Sequence, residues 1–215
     1  MVRRSNVKPE RRYDATGRQE AARRSRRRVL EAAEQLFTTN GYGRTTMRAI
    51  ADAAGVSVKT VEAAFGTKAN LLKVLVDVSI AGDDAPVAVR DRPAVREMEQ
   101  EPDPERFLVL FASFVRDISE RLAPVARLLE QAAATEEEIA ALWRTAEQNR
   151  LAGARAAAMA LAAKADGVDV DYATDIFWLL NDPSLYRALV GARSWSPDRF
   201  ETWLVETSRL LLLGR

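Results

Sequence analysis

The 215-residue sequence contains no cysteine and no histidine. The absence of cysteine excludes disulfide bonds and thiolate metal ligands, and it is compatible with a reducing compartment. The absence of histidine removes the commonest general base and metal ligand, so we expect no catalytic site, no metal site and no cofactor. Ions bound by carboxylates alone remain an open alternative.

Long apolar runs are also missing from the chain. No stretch approaches the roughly 18 consecutive apolar residues that a membrane-spanning helix needs. The amino-terminal residues 1–12, MVRRSNVKPERR, carry charges with no apolar segment behind them, which is unlike a secretory signal. We therefore expect a soluble, cytoplasmic protein that does not contact a membrane.

Net charge is small, but it is unevenly distributed. The formal net charge is +1. Through Val76 the chain has 16 Lys and Arg against 7 Asp and Glu, a balance of +9, whereas the remainder has 16 against 24, a balance of −8. A basic front and an acidic remainder indicate a polyanion-binding head on a body with another role. Chance clustering of surface charges is the alternative.

Alternating polar and apolar residues are not sustained anywhere, so we predict no sheet and an all-α fold. Apolar residues recur at helical spacing instead. The first helix is predicted from Gln19 to Asn40, where two glycines follow. Residues 83–102, rich in Pro, Asp and Arg, are predicted to form a loop or a frayed helix end.

Helix start signals are frequent in the second half of the chain. A cap residue followed by proline predicts helix starts at Asp103-Pro104, Asp182-Pro183 and Ser196-Pro197. Two further starts are predicted at Pro124 and at a capping box from Thr135 to Glu138, with the second helix reaching Lys164. Another helix is predicted from Val170 to Leu180.

Residues 45–72 contain the most informative pattern of the sequence. Thr45 or Thr46 can cap a short helix, and Gly55 can end that helix in the left-handed conformation. Ser57 then caps a second helix. The positions expected to face inward on these two helices are Met47, Ile50, Ala51, Ala54, Val58, Val61 and Phe65. Two short helices joined at a glycine form the unit that places a recognition helix in the major groove of DNA.

The second of these helices leaves a polar face outward. Lys59 and Thr60 are placed to reach base edges or phosphates, and Glu62 either accepts a hydrogen bond from cytosine or disfavours non-specific phosphate contact. Thr46, at a helix start, offers a hydroxyl to a phosphate. The predicted DNA-binding residues are Arg44, Thr46, Arg48, Ser57, Val58, Lys59, Thr60, Glu62 and Lys68. The alternative is that these are solvated surface side chains.

A basic segment precedes the helix-turn-helix. From Arg3 to Arg28 the chain has 11 basic residues. Residues 1–18 are predicted to be a flexible basic arm that follows phosphates or enters a minor groove. For residues 1–12 a solubilising tail is an equal alternative. Residues 19–66 are then the DNA-binding domain and residues 67–215 the regulatory and dimerisation domain.

The same residues resemble the TetR family of bacterial transcriptional regulators. The resemblance is carried by VLEAAEQLF at 29–37, NGY at 40–42, TTMRAIADAAGVS at 45–57, Thr60, FGTK at 65–68 and the leucines at 71–72. Residues 185–200 resemble a regulatory-domain subgroup more loosely. Relatives usually carry an aromatic where Glu62 stands, whereas Lys68 matches a lysine that often contacts the DNA backbone.

The resemblance implies a fold and a function. It implies an all-α fold, with an N-terminal three-helix helix-turn-helix DNA-binding domain and a C-terminal helical bundle for ligand binding and dimerisation. It implies a homodimer on a near-palindromic double-stranded DNA operator, acting as a repressor in the bacterial cytoplasm and associated with the nucleoid. A small-molecule effector of unknown identity would relieve the repression.

Family ligand sites lie within the carboxyl-terminal bundle, so the resemblance places the effector there. The candidate ligand-binding residues are Phe107, Phe111, Phe114, Trp143, Asn149 and Trp178, with Leu128 and Arg150 as further candidates. Aromatic residues at helical spacing are also the pattern of an ordinary packed core.

The last helix indicates dimerisation on separate grounds. Phe200, Trp203, Leu204, Thr207 and Leu211 fall on one face, and Leu210, Leu212 and Leu213 extend its apolar character. Such a helix must be covered, either by a second copy or by the rest of the chain. Two-fold pairing would hold two recognition helices about 34–36 Å apart, one turn of DNA.

Two other functions compete with an effector-controlled repressor. One is a helical protein that binds DNA without effector control, which a strong salt dependence with little sequence preference would favour. The other is a helical-bundle enzyme, for which the only candidate catalytic residues are the paired carboxylates Glu136, Glu137 and Glu138. Helix capping explains those three residues, so we expect no enzyme activity.

Overall fold

The computed structural model describes residues 15–214, and residues 1–14 of the predicted arm lie outside the described residues, as does Arg215. Within the described range the chain forms helices and no strand, which confirms the all-α fold. The helices are α1 Ala15–Asn40, α2 Met47–Ala54, α3 Val58–Phe65, α4 Lys68–Ala81, α5 Pro93–Gln100, α6 Pro104–Ala133, α7 Glu137–Ala162, α8 Val170–Leu180, α9 Pro183–Tyr186 and α10 Pro197–Leu213. A 3₁₀ turn spans Val89–Asp91, and a π-helical segment Arg187–Ala192 follows α9.

Helices α1 to α3 form the head, and α4 to α10 form the body. The predicted starts at Pro104, Pro183 and Pro197 are confirmed, each with proline in the first turn behind a capping side chain. Helix α1 begins at Ala15, so residues 15–18 are helical. None of the helices within residues 15–214 is long and apolar enough to cross a membrane.

The core of the head continues into the body. Phe37, Ile50, Phe65 and Leu71 are almost fully buried in one cluster. The body contributes to the same cluster from the second half of α6 and the first turn of α7, with Val125, Leu128, Leu129, Ala132 and Ile139. Because each large apolar side chain buried in this way contributes roughly 1.5–3 kcal/mol, the shared cluster attaches the head to α4, α6 and α7 of the body.

A second buried cluster lies in the body alone. It joins α6, α7, α8 and α10 through Phe107, Phe111, Leu161, Phe177 and Phe200. The small residues Ala154, Ala157 and Ala158 of α7 are buried in it, which lets α7 and α8 approach closely.

The predicted helix start at Pro124 is wrong, because α6 runs through this residue without a break. Proline removes one backbone hydrogen bond from a helix. However, Ala123 and Val125 on either side of it are buried, so packing holds the helical path. Pro124 itself is exposed.

The prediction for residues 83–102 is also wrong, because this stretch contains the 3₁₀ turn and α5. Pro93 begins α5, and Met98 is buried in the body core. A bidentate pair from Arg92 to Asp83, with N–O distances of 2.6 and 3.0 Å, closes the preceding loop. Apolar residues show only weak helical periodicity here, because Met98 is the one residue of α5 that is buried.

The predicted capping box before α7 does not form. The Thr135 hydroxyl lies 3.4 Å from the Ala132 carbonyl at the end of α6, and Glu136 caps α7 without a side-chain hydrogen bond. The hydroxyl is therefore used to end one helix and not to begin the next.

The apolar surface of α10 is divided between two environments. Phe200, Leu204 and Leu212 are buried within the chain, on the face that packs on α6 and α8. Leu210 is 64% exposed and Leu211 40% exposed. The inner part of α10 therefore docks intramolecularly, whereas Leu210 and Leu211 near its carboxyl end are exposed, and dimerisation through them stays a prediction.

Candidate nucleic-acid interface

Short capped helices position the two elements of the interface. The Thr46 hydroxyl accepts a hydrogen bond from the Ala49 N–H at 3.1 Å, and the Ser57 hydroxyl accepts one from the Thr60 N–H at 3.1 Å. Gly55, at φ 64°, ends α2 in the left-handed conformation that favours glycine. These three predictions are confirmed, and they make α2 and α3 a helix-turn-helix with a fixed turn.

Helix α3 has one buried face and one exposed face. Val61 and Phe65 are buried, and Val58 packs at the edge of the head core. Lys59, Thr60 and Glu62 are exposed together on the opposite face, with Ala63 beside them. The buried residues fix the helix, so its polar face is free to meet a ligand as large as a duplex.

The flanking candidates Arg44, Thr46 and Arg48 are exposed as well. The Arg44 guanidinium donates to the Asn40 carbonyl at 2.9 Å, at the end of α1. Ser57 is exposed too, and its hydroxyl also lies 2.8 Å from the Thr60 hydroxyl. DNA contact by each of these residues stays a prediction.

Lys68 occupies a different position from the other candidates. Its ammonium donates to the carbonyls of Tyr42 and Thr45 at 3.0 and 3.1 Å, and it lies 4.1 Å from the centroid of the Tyr42 ring. The side chain thus joins the first turn of α4 to the loop between α1 and α2. Sequence reasoning missed this structural role, because the acceptors are backbone atoms.

Tyr42, in the head, lies near enough to the start of α7 for carboxylates of the body to affect its pKa. Burial first, and then the nearby carboxylates of Glu138 and Glu136 at the start of α7, raise the pKa of Tyr42 from 10.0 to about 12. The Tyr42 ring also packs on Phe37, with 5.6 Å between centroids. No signal in the sequence identified this residue as a contact between the two parts.

The basic residues near the start of α1 are not equivalent. Arg24 and Arg27 are exposed, and each pairs with a glutamate of the same helix, at 3.9 Å from Glu20 and 2.8 Å from Glu31. Their charges remain available to solvent and to phosphate. Arg26 is half-buried and reaches Asp84, in the loop after α4.

The structure separates the ligand-binding candidates of the body. Phe107 and Phe111 lie together in the body core, 6.3 and 4.5 Å from the Phe177 ring centroid. Trp143 packs instead against the head core, and Leu128 is buried within it. Phe114 is half-buried, and Asn149 is exposed.

Trp178 contacts Arg150, which the sequence analysis named only as a further candidate for the ligand site. The Arg150 guanidinium lies 4.4 Å from the Trp178 ring centroid and donates to the Trp178 carbonyl. Arg150 also pairs with Glu147 at 2.6 Å and with Asp182 at 3.5 Å. Arg150, and not Asn149, therefore supplies the polar group beside this tryptophan.

Comparison with known proteins bears on this geometry. Residues 29–75 match the family model described as bacterial regulatory proteins of the tetR family. The match covers the second part of α1 together with α2, α3 and half of α4, which is the helix-turn-helix and its support. No curated protein sequence matches the chain.

Solved structures share the fold over most of the chain. NalD, the secondary repressor of the MexAB-OprM multidrug efflux pump in Pseudomonas aeruginosa, is 22% identical with a TM-score of 0.67, covering 90% of this chain and 98% of its own. The transcriptional regulator FadR from Bacillus subtilis, solved in complex with stearoyl-CoA, is 18% identical with a TM-score of 0.67, covering 88% and 98%. A transcriptional regulator from Rhodococcus is 20% identical with a TM-score of 0.60, covering 88% and 97%.

These proteins are described as regulators of transcription, and their similarity to this chain is one of fold. The more specific match is that of residues 29–75, which include the helix-turn-helix, to the family model. The family is thus matched over residues 29–75, and over most of its length the chain shares the fold of solved transcriptional regulators.

Proposed function

We propose that this protein is a repressor that binds a near-palindromic DNA operator as a homodimer and that a small molecule releases it. The observation that carries the proposal is the exposed polar face of α3, held outward by the buried Val61 and Phe65. Base edges in the major groove present donors and acceptors that Lys59, Thr60 and Glu62 can match.

One observation and one physical argument favour a dimer. The uncovered leucines 210 and 211 at the end of α10 offer an apolar surface that a second copy can cover. A symmetric pair of heads also explains how an eight-residue α3 gains selectivity, because two half-sites are read at once.

Release by a small molecule is supported by the fold. FadR from Bacillus subtilis, which shares the fold, was solved with stearoyl-CoA bound. In this chain the acyl or aromatic part of an effector would need space between α6 and α8, where Phe111 lies against Phe177. A ligand that favours a wider or narrower separation of the heads would lower operator affinity by population shift.

A second candidate function is DNA binding without effector control. The observation that favours it is the tight packing of the body core, where Phe107 and Phe177 are fully buried and Phe111 is 4% exposed. Rings packed in this way serve as a structural core.

Genomic footprinting of the purified protein tests the proposal. We expect protected sites with two-fold symmetry and half-sites about one helical turn apart. A screen for compounds that release the protein from such a site then separates the two candidates. Protection without any shared sequence would contradict operator recognition.

Substitutions in α3 test the assignment of the recognition helix. We expect Lys59→Ala or Thr60→Ala to change the preferred bases, since each base contact is worth about 1–3 kcal/mol of discrimination. Asp77→Ala, on the exposed side of α4, is the control and should leave base preference unchanged. Unchanged preference in both α3 variants would contradict the assignment.

A further inference from the structure

Arg26 makes three separate contacts from the middle of α1. Its Nε and Nη2 donate to the two carboxylate oxygens of Asp84 at 2.5 and 3.1 Å. Its Nη1 donates to the carbonyl of Ala64 at 3.2 Å, and its guanidinium lies 4.4 Å from the Phe65 ring centroid. One side chain thereby connects α1, the end of α3 and the loop after α4.

The contacts to α3 fall at its carboxyl end. Helix ends leave carbonyls without intrahelical partners, and a cation there also interacts favourably with the helix dipole. Arg26 satisfies the Ala64 carbonyl, and the Asn70 side chain satisfies that of Phe65 at 2.8 Å. The end of α3 is therefore held from two sides.

Small side chains surround this contact. A depression of about 260 Å³ lies between α1 and α3, lined by Ala21, Ala22, Ser25, Arg26, Val29, Thr60 and Ala64. Close apolar packing between the two helices is thus interrupted at the level of Thr60 and Ala64. The Arg26 guanidinium bridges them where their surfaces diverge.

Asp84 is itself tied to the body through the end of α4. Arg121 of α6 donates to the carbonyls of Ser79 and Ile80 at 3.0 and 3.4 Å. Gly82 ends α4 in the left-handed conformation, at φ 86°, with the Arg121 guanidinium packed against it. The loop that carries Asp84 starts from a point that α6 holds in place.

We propose that Arg26 is a positioning residue for the recognition helix: through Asp84 it fixes the carboxyl end of α3 to the end of α4, and so sets the orientation in which α3 meets DNA. The proposal rests on the proposed function. It gives the body a polar connection to α3 in addition to the shared apolar core, and it removes Arg26 from the set of free DNA-facing cations.

The variant that tests the connection is Asp84→Asn. The side chains of Arg26 and Asp84 are 31% and 40% exposed, so the pair adds little to global stability and the variant should fold. Removal of a carboxylate beside the head would by itself strengthen binding to every DNA sequence. Loss of positioning instead lowers the preference for operator over other DNA, so the two effects are distinguishable.

Asp83→Asn is the matched control. It removes the same charge one residue away, where Asp83 pairs with Arg92 and not with Arg26. Arg26→Lys is the second test variant, because it keeps the charge of the head but one ammonium cannot reproduce the bidentate pair together with the bond to Ala64.

The first measurement is hydrogen exchange in the full-length protein without DNA. We expect the amides of α3 to exchange several-fold faster in Asp84→Asn and Arg26→Lys than in the wild type and in Asp83→Asn. Equal exchange in all four proteins would overturn the proposal.

The second measurement is the ratio of affinities for the duplex recovered by footprinting and a scrambled duplex of the same composition. We expect this ratio to fall at least fivefold in Asp84→Asn and Arg26→Lys and to stay unchanged in Asp83→Asn. An unchanged ratio in Asp84→Asn overturns the proposal even if exchange is faster. A wild type that prefers neither duplex contradicts the proposed function instead, and the exchange data then decide whether Arg26 holds α3.

Discussion

At the scale of single residues, cations of the head act on backbone atoms as well as on solvent. The Lys68 ammonium donates to two carbonyls of the loop between α1 and α2, and the Arg26 guanidinium donates to one at the end of α3. Hydrogen bonds from charged donors are stronger than those from neutral donors. A carbonyl that loses such a donor is left without a hydrogen-bond partner, which costs free energy of folding. The basic character of the head therefore serves its internal geometry too.

Lys68→Ala should destabilise the fold. The carbonyls of Tyr42 and Thr45 lose their donor, so we expect the free energy of unfolding to fall by about 1–2 kcal/mol in urea denaturation. Lys73→Ala, which removes an exposed pair with Asp77 on the same helix, should change it by no more than about 0.5 kcal/mol. Equal effects of the two substitutions would show that the Lys68 bonds are unimportant.

The folded Lys68→Ala variant also tests phosphate contact. If the ammonium reaches a phosphate, its loss weakens binding similarly for all DNA sequences. The slope of log K against the logarithm of the salt concentration then becomes shallower by about one. A loss confined to one sequence would contradict this role.

Tyr42 gives the fold a dependence on alkaline pH. Burial first, and then Glu138 and Glu136, raise the pKa of Tyr42 from 10.0 to about 12. The folded state favours the neutral phenol, so this stabilisation is complete below pH 10 and is lost as the pH rises from about 10 to about 12. Tyr42→Phe should lose less stability than the wild type over that range in urea denaturation. Parallel curves for the two proteins would contradict the shift.

At the scale of helices, the sequence predicted the elements whose ends carry local signals. Thr46, Gly55 and Ser57 set the bounds of α2 and α3 through side-chain caps and a left-handed glycine, which are interactions between near neighbours. The bounds of α5 and α6 depend instead on distant contacts, the burial of Met98 and the packing on both sides of Pro124. Local patterns do not contain that information.

The candidate interface followed the same rule. The exposure of Lys59, Thr60 and Glu62 follows from helical periodicity, so the sequence placed it correctly. The engagement of Arg26 with Asp84 joins residues 58 positions apart, and nothing in the spacing indicated it. The aromatic candidates of the body were predicted as one group, but the fold places Trp143 on the head core and Phe111 on the body core.

Pro124 offers a test of how α6 tolerates a proline. The residue is exposed, so Pro124→Ala creates no cavity, and it restores an N–H that can donate within the helix. We expect the free energy of unfolding to rise by about 1 kcal/mol, less than the intrinsic difference of about 3 kcal/mol because the unfolded chain also gains freedom. Arg127→Ala, exposed on the same helix, should stay within about 0.5 kcal/mol. Destabilisation by Pro124→Ala would mean that the packing of α6 requires the proline.

At the scale of the whole molecule, charge and apolar surface lie in different parts of the chain. The charge excess of +9 lies in residues 1–76, whereas the exposed leucines 210 and 211 end α10, which packs in the cluster that lies in the body alone. A dimer joined through the ends of α10 would therefore leave both basic heads uncovered. The two heads could then bind two half-sites at once, and their binding free energies would add. The dimer surface would not overlap the surface that contacts DNA.

Leu210→Glu tests this arrangement. Leu210 is 64% exposed, so the substitution should leave the fold intact but place a charge in the proposed dimer surface. We expect a monomer by analytical ultracentrifugation at concentrations where the wild type is a dimer. Val87→Glu, at an apolar residue 44% exposed in the loop before α5, should remain dimeric.

DNA binding by the same variant separates dimerisation from recognition. Linked half-sites gain on the order of a hundredfold in affinity over one alone, so Leu210→Glu should lose about that factor on the full operator. Its affinity for a duplex with a single half-site should equal that of the wild type, because α3 is unchanged. A variant that stays dimeric, or that loses affinity for the single half-site as well, would contradict an interface at the end of α10.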